Sequence, residues 1–233
     1  MSSSGPASAL TAERETWRPM AFGFKSAKGI KDPVCEPLWA GRRTIADVRA
    51  SGVELHDEVG DSLEGFADLR AAIKGSSVAR ELVIDGYLLP APLRDTVGAE
   101  ALIGDESAPT ARQMLLLGGG GTNRRKEELR NAEERRVRLT PEGPTAFMAV
   151  DLLWLDGESL LDVPLLERKR LLDSALVDHE LVRRTMIVRP PVEAWYAQWR
   201  ALGFREFAIK SANSRYRPGT ASDAWTTQPI PRR

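Results

Sequence analysis

Two apolar runs do most to limit what this chain can fold into. They are Glu81-Leu82-Val83-Ile84-Asp85-Gly86-Tyr87-Leu88-Leu89 and Ala146-Phe147-Met148-Ala149-Val150-Asp151-Leu152-Leu153-Trp154-Leu155. Both read as strands of mostly apolar residues, the first stopped by Pro90 and the second, a buried strand, by the turn pair Asp156-Gly157. Shorter strand-like segments surround them. Residues 44–49 can pair with Val53-Glu54-Leu55-His56 around a Ser51-Gly52 turn. Met186-Ile187-Val188, Glu206 to Lys210 and Ala224 to Thr227 are further candidates. The spacing of Phe66, Leu69, Ala72 and Ile73 predicts an amphipathic helix over about 64–74. Pro164 opens a second helix through about Leu176, and a third over Val192 to Leu202 carries Trp195, Tyr196 and Trp199, which read as helix packing rather than a base-stacking platform. Strands separated unevenly by helices, with hairpins among them, favour an α+β domain with mainly antiparallel sheets.

The 233 residues can bury a sizeable core. Lys plus Arg and Asp plus Glu both number 33, so the chain is neutral and any DNA contact is expected to be weak and salt-sensitive. A single cysteine excludes an intramolecular disulfide and fits a reducing interior, and two histidines argue against structural zinc. No apolar run approaches the roughly 20 residues of a bilayer span, so a soluble, cytoplasmic protein with no membrane partner is expected. Residues 1–13 are expected to be a disordered tail and 14–230 one domain. Within it, Thr110 to Leu117 reads as a short helix, and about 118–143 as a charged helical insertion. Its four glycines, Gly118 to Gly121, read as a linker, because no strand precedes them and no Lys-Ser/Thr follows.

The stretch Glu36-Pro37-Leu38-Trp39-Ala40-Gly41-Arg42-Arg43 leads into the strand at Thr44. A tight Gly between bulky residues and two arginines suits the wall of a ligand pocket, yet the stretch offers no nucleophile, no general base and no metal ligand beyond Glu36. Cys35 reads as a buried core cysteine, and His56 and His179 as isolated surface residues. Lys25, Lys28 and Lys31 lie on the approach.

Several segments carry a family resemblance. Arg18-Pro19-Met20-Ala21 resembles an opening Pro-Met-Leu-Ala, and Glu36 to Arg43 resembles Glu-Pro-Lys-x-Asp-Gly-x-Arg. Leu82 to Leu88 resembles a strand ending in Asp-Gly-Glu, and Phe147 to Gly157 resembles Phe-x-Ala-Phe-Asp-Leu-Leu-Tyr-Leu-Asp-Gly. Val163 to Lys169 continues in kind, and Gly203 to Lys210 resembles Gly-Leu-Glu-Gly-Val-Val-Ala-Lys. Ser214 to Gly219, then Ser222 and Trp225, resembles Ser-x-Tyr-Arg-Pro-Gly followed by Ser-x-x-Trp-x-Lys-x-Lys. In this order, over about 18–228, the chain is similar to the nucleotidyltransferase (adenylation) domain of ATP-dependent DNA ligases of the small bacterial end-joining type. The implied fold has mainly antiparallel sheets flanked by helices. Because the sequence stops at Arg233, directly after the last strand, no oligonucleotide-binding barrel is expected in it.

In that family a lysine attacks the α-phosphate of ATP and becomes a lysyl-adenylate. The resemblance puts Leu38 at that position and Ala40 at the neighbouring acid. The two metal-binding carboxylates fall at Tyr87 and Arg205, a ribose-binding arginine at Glu58, and two phosphate-contacting lysines at Thr227 and Pro229. Glu36, Gly41, Arg43 and Lys210 remain as a nucleotide-pocket remnant, with Asp151 a further candidate; Arg43 is either a binding residue or a plain salt bridge, and Lys210 a phosphate contact or a structural lysine. The expectation is a non-catalytic, ligase-like protein that holds no metal or cofactor and scaffolds DNA repair or end joining beside DNA or a repair protein. The alternative is an active ligase or nucleotidyltransferase that uses ATP and Mg²⁺ with a displaced lysine or a partner's residues.

Overall fold

The computed structural model describes residues 17–90 and 144–231. The expected N-terminal tail, the helix at Thr110 and the charged insertion lie outside the described residues.

Two antiparallel sheets form the domain. The larger has the order β4 (Gly52–His56), β3 (Arg42–Arg49), β5 (Leu82–Pro90), β6 (Thr145–Leu155) and β7 (Glu158–Ser159). Strand β8 (Val182–Arg184) adds to β6 in parallel, at Phe147 to Ala149. The smaller sheet has the order β11 (Trp225–Pro229), β9 (Glu206–Ser211) and β2 (Pro33–Pro37). Two short parallel strands, β1 (Ala21–Phe22) and β10 (Ala221–Ser222), pair beside them. Helices α1 (Ala67–Ser76) and α2 (Leu165–Ala175) contact the large sheet, and a 3₁₀ turn at Glu193–Trp195 leads into the short α3 (Tyr196–Ala201). The α+β reading with mainly antiparallel sheets therefore holds.

The two apolar runs are β5 and β6, and the reason for their composition is that both faces are covered. Leu82, Ile84 and Leu88 of β5, with Phe147, Ala149 and Leu152 of β6, join Leu69 and Ile73 of α1 and Leu172 of α2 in one core. Tyr87, Leu89, Met148 and Val150 point the other way and meet Cys35, Phe207 and Ile209 of the small sheet in a second core. A third core, with Met20, Val34, Ile45, Trp154, Tyr216 and Trp225, closes one end. At the β6–β7 turn, Asp156 and Gly157 have φ of 42° and 100°, the left-handed pair a two-residue hairpin requires. The Asp156 carboxylate also accepts from the N–H groups of Arg80 and Glu81, fixing the start of β5.

Some boundaries differ from those read in the sequence. Helix α1 starts only at Ala67, because Phe66 stands in the left-handed region at φ 59°. Strand β5 ends at Pro90, which is still paired with Thr145. Met186 to Val188 is not a strand. Val188 makes one isolated bridge to Cys35, and the strand of this region is β8, where Phe147 N–H reaches Leu181 and the β6 edge is open to pairing. The third predicted helix is shorter than its aromatic pattern suggests, since its first turn is 3₁₀.

The β5–β6 pairing leaves no room at Gly86: a Cβ there would overlap the Phe147 ring and stand 2.6 Å from the Met148 carbonyl oxygen. Forcing side-chain volume into a filled core costs about 1–3 kcal/mol. Urea unfolding of Gly86→Ala is expected to show a loss of at least ~2 kcal/mol on that scale. An unchanged midpoint would contradict the packing described here.

Candidate functional site

The stretch Glu36 to Arg43 crosses from the small sheet to the large one. Glu36 lies in β2 and Arg43 in β3, and the Leu38 N–H still donates to Glu206 O at 3.1 Å. Gly41 is demanded by close approach, since a Cβ would overlap the Leu88 carbonyl and stand 2.6 Å from Leu89 Cδ2. Trp39 seals the crossing. Its indole N–H donates to Thr185 Oγ1 at 2.9 Å, and its ring meets Phe204 edge-on at 4.8 Å. Leu38 and Ala40 are half-buried beside it.

Under this crossing lies a network of buried charges in three separately bonded groups. The Arg43 guanidinium grips Asp85 through two hydrogen bonds of 2.5 Å, donates to the Tyr87 hydroxyl at 2.6 Å and sits 4.7 Å from the centre of the Tyr87 ring. The Tyr216 hydroxyl donates to Asp85 at 2.8 Å and accepts the Met20 N–H at 2.8 Å, so it joins the N-terminal segment to the same carboxylate. Asp151 is held by Arg168 of α2 at 2.9 and 2.8 Å. Glu36 is shared by two ammoniums: Lys169 of α2 at 2.5 Å, and Lys210 of β9. The Lys210 ammonium lies 4.1 Å from the centre of the Trp225 ring, a cation–π contact.

The titration behaviour follows from these contacts. Burial pushes the Glu36 carboxyl up, but the Lys169 and Lys210 ammoniums outweigh it and hold the group at about 2. Lys210 moves against the direction an ion pair would give. Burial, with Lys169 and Arg43 nearby, outweighs the pull of Glu36 and brings it down to about 8. One carboxylate serving two ammoniums explains why its partner gains so little. Burial also raises Tyr87. Burial, with Glu36 and Glu193 nearby, lifts the Cys35 thiol to about 11, the state of an inert core cysteine.

The structure thus brings together Glu36, Arg43, Tyr87, Lys210 and Asp151 of the sequence-predicted set. Of the two alternatives for Arg43, it forms the salt bridge, with Asp85; Lys210 is a buried ion-pair partner. Glu58 is exposed on the turn after β4, Arg205 is exposed before β9, and Thr227 and Pro229 lie along β11 opposite Ala208 and Glu206. Lys25, Lys28 and Lys31 are exposed, as is His179, while His56 is half-buried. Trp199 is fully buried, against Trp195 and Phe207, in agreement with the packing reading. Sequence reasoning missed Arg168, Lys169, Asp85, Tyr216 and Trp39. A signal existed for two of them, because helical spacing sets Arg168 and Lys169 on the same face as Leu165 and Leu172, a face that must be buried.

Among the described residues no group of three or more His, Cys, Asp or Glu could hold a metal ion. The three carboxylates buried here, Glu36, Asp85 and Asp151, are each neutralised by lysine or arginine, so these residues do not fit a Mg²⁺ site. No helix among the described residues is long and apolar enough to cross a membrane.

Known proteins match this architecture. Residues 114–227 match the family model of the ATP dependent DNA ligase domain. The ligase domain of LigD from M. tuberculosis superposes with a TM-score of 0.61 at 20% identity, over 92% of this chain and 60% of that one. The fold is that of an ATP-dependent DNA ligase adenylation domain. A curated DNA ligase from Methanoculleus marisnigri is 37% identical over 78 residues, 34% of this chain and 14% of its own length. The multifunctional non-homologous end joining protein LigD of Mycolicibacterium smegmatis is 25% identical over 196 residues, 84% of this chain. The chain spans 14–21% of the length of the curated relatives it matches.

The shared carboxylate gives the ligase-like domain a specific pH signature. Glu36 titrates at about 2 in the fold against an ordinary 4.5, so its ionised form contributes full stability above about pH 4.5, and this is lost as the pH falls towards 2. Removing one partner of a buried ion pair costs about 3–5 kcal/mol. Glu36→Gln is expected to lose on that order at pH 7, and the gap to the wild type should narrow steadily from pH 4.5 downwards. Unfolding midpoints measured across that range check both statements, and a gap independent of pH would refute the assignment.

Proposed function

We propose that this ligase-like domain does not form an enzyme adenylate and that it works as a binding component of DNA repair by end joining. The single observation that carries the reading is Leu38, a hydrocarbon at the position of the attacking amine. Covalent adenylyl transfer needs a nucleophile with a lone pair, and positioning alone yields no intermediate. The other positions support the same reading. Tyr87, at one expected carboxylate, places its hydroxyl on Arg43, and Arg205 stands at the other. Glu36 and Lys210 are bonded to each other rather than turned to a ligand. DNA, or a protein of the repair and ligation machinery, is the proposed partner, in line with the end-joining proteins this chain resembles.

One observation favours the rival reading, an active ATP-dependent ligase with a displaced lysine. Lys210 is held down near 8, and a lysine with a lowered pKa is the kind that attacks. Against it, the Lys210 ammonium is buried under Trp225 and bonded to Glu36. Incubation with labelled ATP or NAD and Mg²⁺ or Mn²⁺ separates the two readings. No protein-linked AMP is expected. A stable adenylate would overturn the proposal, and peptide mapping would show whether Lys210 carries it.

Leu38→Lys alone is expected to remain inactive in the same assay, because the carboxylates for a metal ion and the cations for a triphosphate are missing elsewhere. Adenylation of that single variant would mean that the rest of the pocket is still competent.

A further inference from the structure

The buried network holds one cation more than it holds carboxylates. Asp85 takes Arg43 and Asp151 takes Arg168, each through two hydrogen bonds, while Glu36 alone faces both Lys169 and Lys210. A buried charge without a full counter-charge is unfavourable, and here the surplus falls on the two lysines. Lys210 is covered by the Trp225 ring. Lys169 is placed differently, because it lines a hollow of about 320 Å³ between α2 and residues 184–187.

Two of the side chains that line this hollow have donors without acceptors among the described residues. Among the described residues the Lys169 ammonium makes one hydrogen bond, to Glu36, which leaves two of its three N–H bonds without an acceptor. Thr185 also lines the hollow and is 9% exposed; its Oγ1 accepts from Trp39, and its own proton has no acceptor among the described residues. The acids at the rim are already engaged. Asp173 and Asp178 pair with Arg184 at 3.3 and 3.2 Å, and Asp178 also lies 3.7 Å from Arg183. A ligand that only accepts hydrogen bonds and carries negative charge would complete both the donors and the charge balance.

We propose that this hollow binds a small oxyanion, inorganic phosphate or a carboxylate, held by the Lys169 ammonium and the Thr185 hydroxyl. The anion stands as the missing fourth negative charge of the network and leaves Glu36 more fully to Lys210. Binding therefore stabilises the fold by RT ln(1 + L/Kd), where L is the anion concentration. The site lies on α2 and the segment after β8, and its occupancy is independent of whether the domain adenylates.

Thermal unfolding of the full chain in sodium phosphate, sodium acetate and sodium chloride at matched ionic strength tests this. A melting temperature that rises with the logarithm of phosphate or acetate concentration above the dissociation constant, absent with chloride, is expected, and which of the two acts identifies the class of anion. Thr185→Val should weaken the apparent affinity about tenfold, the loss expected for one hydrogen bond to a charged group. Because Lys169→Met also strips Glu36 of a partner, the lysine is read instead by NMR of the wild-type ammonium groups. One lysine resonance should shift with a dissociation constant that agrees with the one fitted from the melting temperatures. Equal stabilisation by chloride, no response to either oxyanion, or an unchanged apparent affinity in Thr185→Val would overturn the proposal.

Discussion

One carboxylate shared by two ammoniums holds the parts of this domain in register. Glu36 comes from the small sheet, Lys210 from the neighbouring strand, and Lys169 from the helix that covers the large sheet. Around it, Arg43–Asp85 joins two strands of the large sheet, and Asp151–Arg168 ties that sheet to α2. Tyr216 adds the N-terminal segment through Asp85 and Met20. Each of these charges is buried, so each is tolerable only while its partner is in place. Apolar cores on both sides of β5 and β6 supply burial energy, but they do not by themselves fix how two sheets and a helix meet. The directed ion pairs do, because a slip at any of them would strand a charge away from water.

The same network bears on chemistry. Side chains that could hold a metal ion or a phosphate can do so only while some of their bonding capacity is free. In this domain Glu36 is taken by Lys210 and Arg43 by Asp85, and Trp39 closes the crossing between the sheets through Thr185 and Phe204. The exception is at the rim of the network, where Lys169 and Thr185 retain unmet donors among the described residues and line a surface hollow. A stable core and an open ligand site compete for the same charged groups, and here the buried side has taken most of them.

Much of the architecture was legible before any coordinates. The hairpin at Ser51-Gly52, the Asp156-Gly157 turn, the helix after Pro164 and the long strands β5 and β6 all follow from local rules: turn chemistry, a fixed proline φ and apolar patterning. The errors occurred where local rules are silent. Met186 to Val188 looks more strand-like than Val182 to Arg184, yet the strand forms at the latter, because the open edge of β6 is what selects a partner.

For the site, the sequence by itself determined the inventory. It placed a hydrocarbon at Leu38, a small residue at Ala40, a phenol at Tyr87 and a cation at Arg205, and it named Glu36, Arg43 and Lys210 as the polar remnant. It also contained the fold, as an ordered series of motifs that agrees with the adenylation domain of DNA ligases. Only the tertiary structure decided what those residues do to one another. Glu36 and Lys169 are separated by 133 positions, and Asp85 and Tyr216 by 131, so no local pattern could report their contact. Short-range sequence rules describe which backbone conformations and faces are favoured. Which charges neutralise each other depends on distances across sheets and helices, and those exist only once the chain has closed.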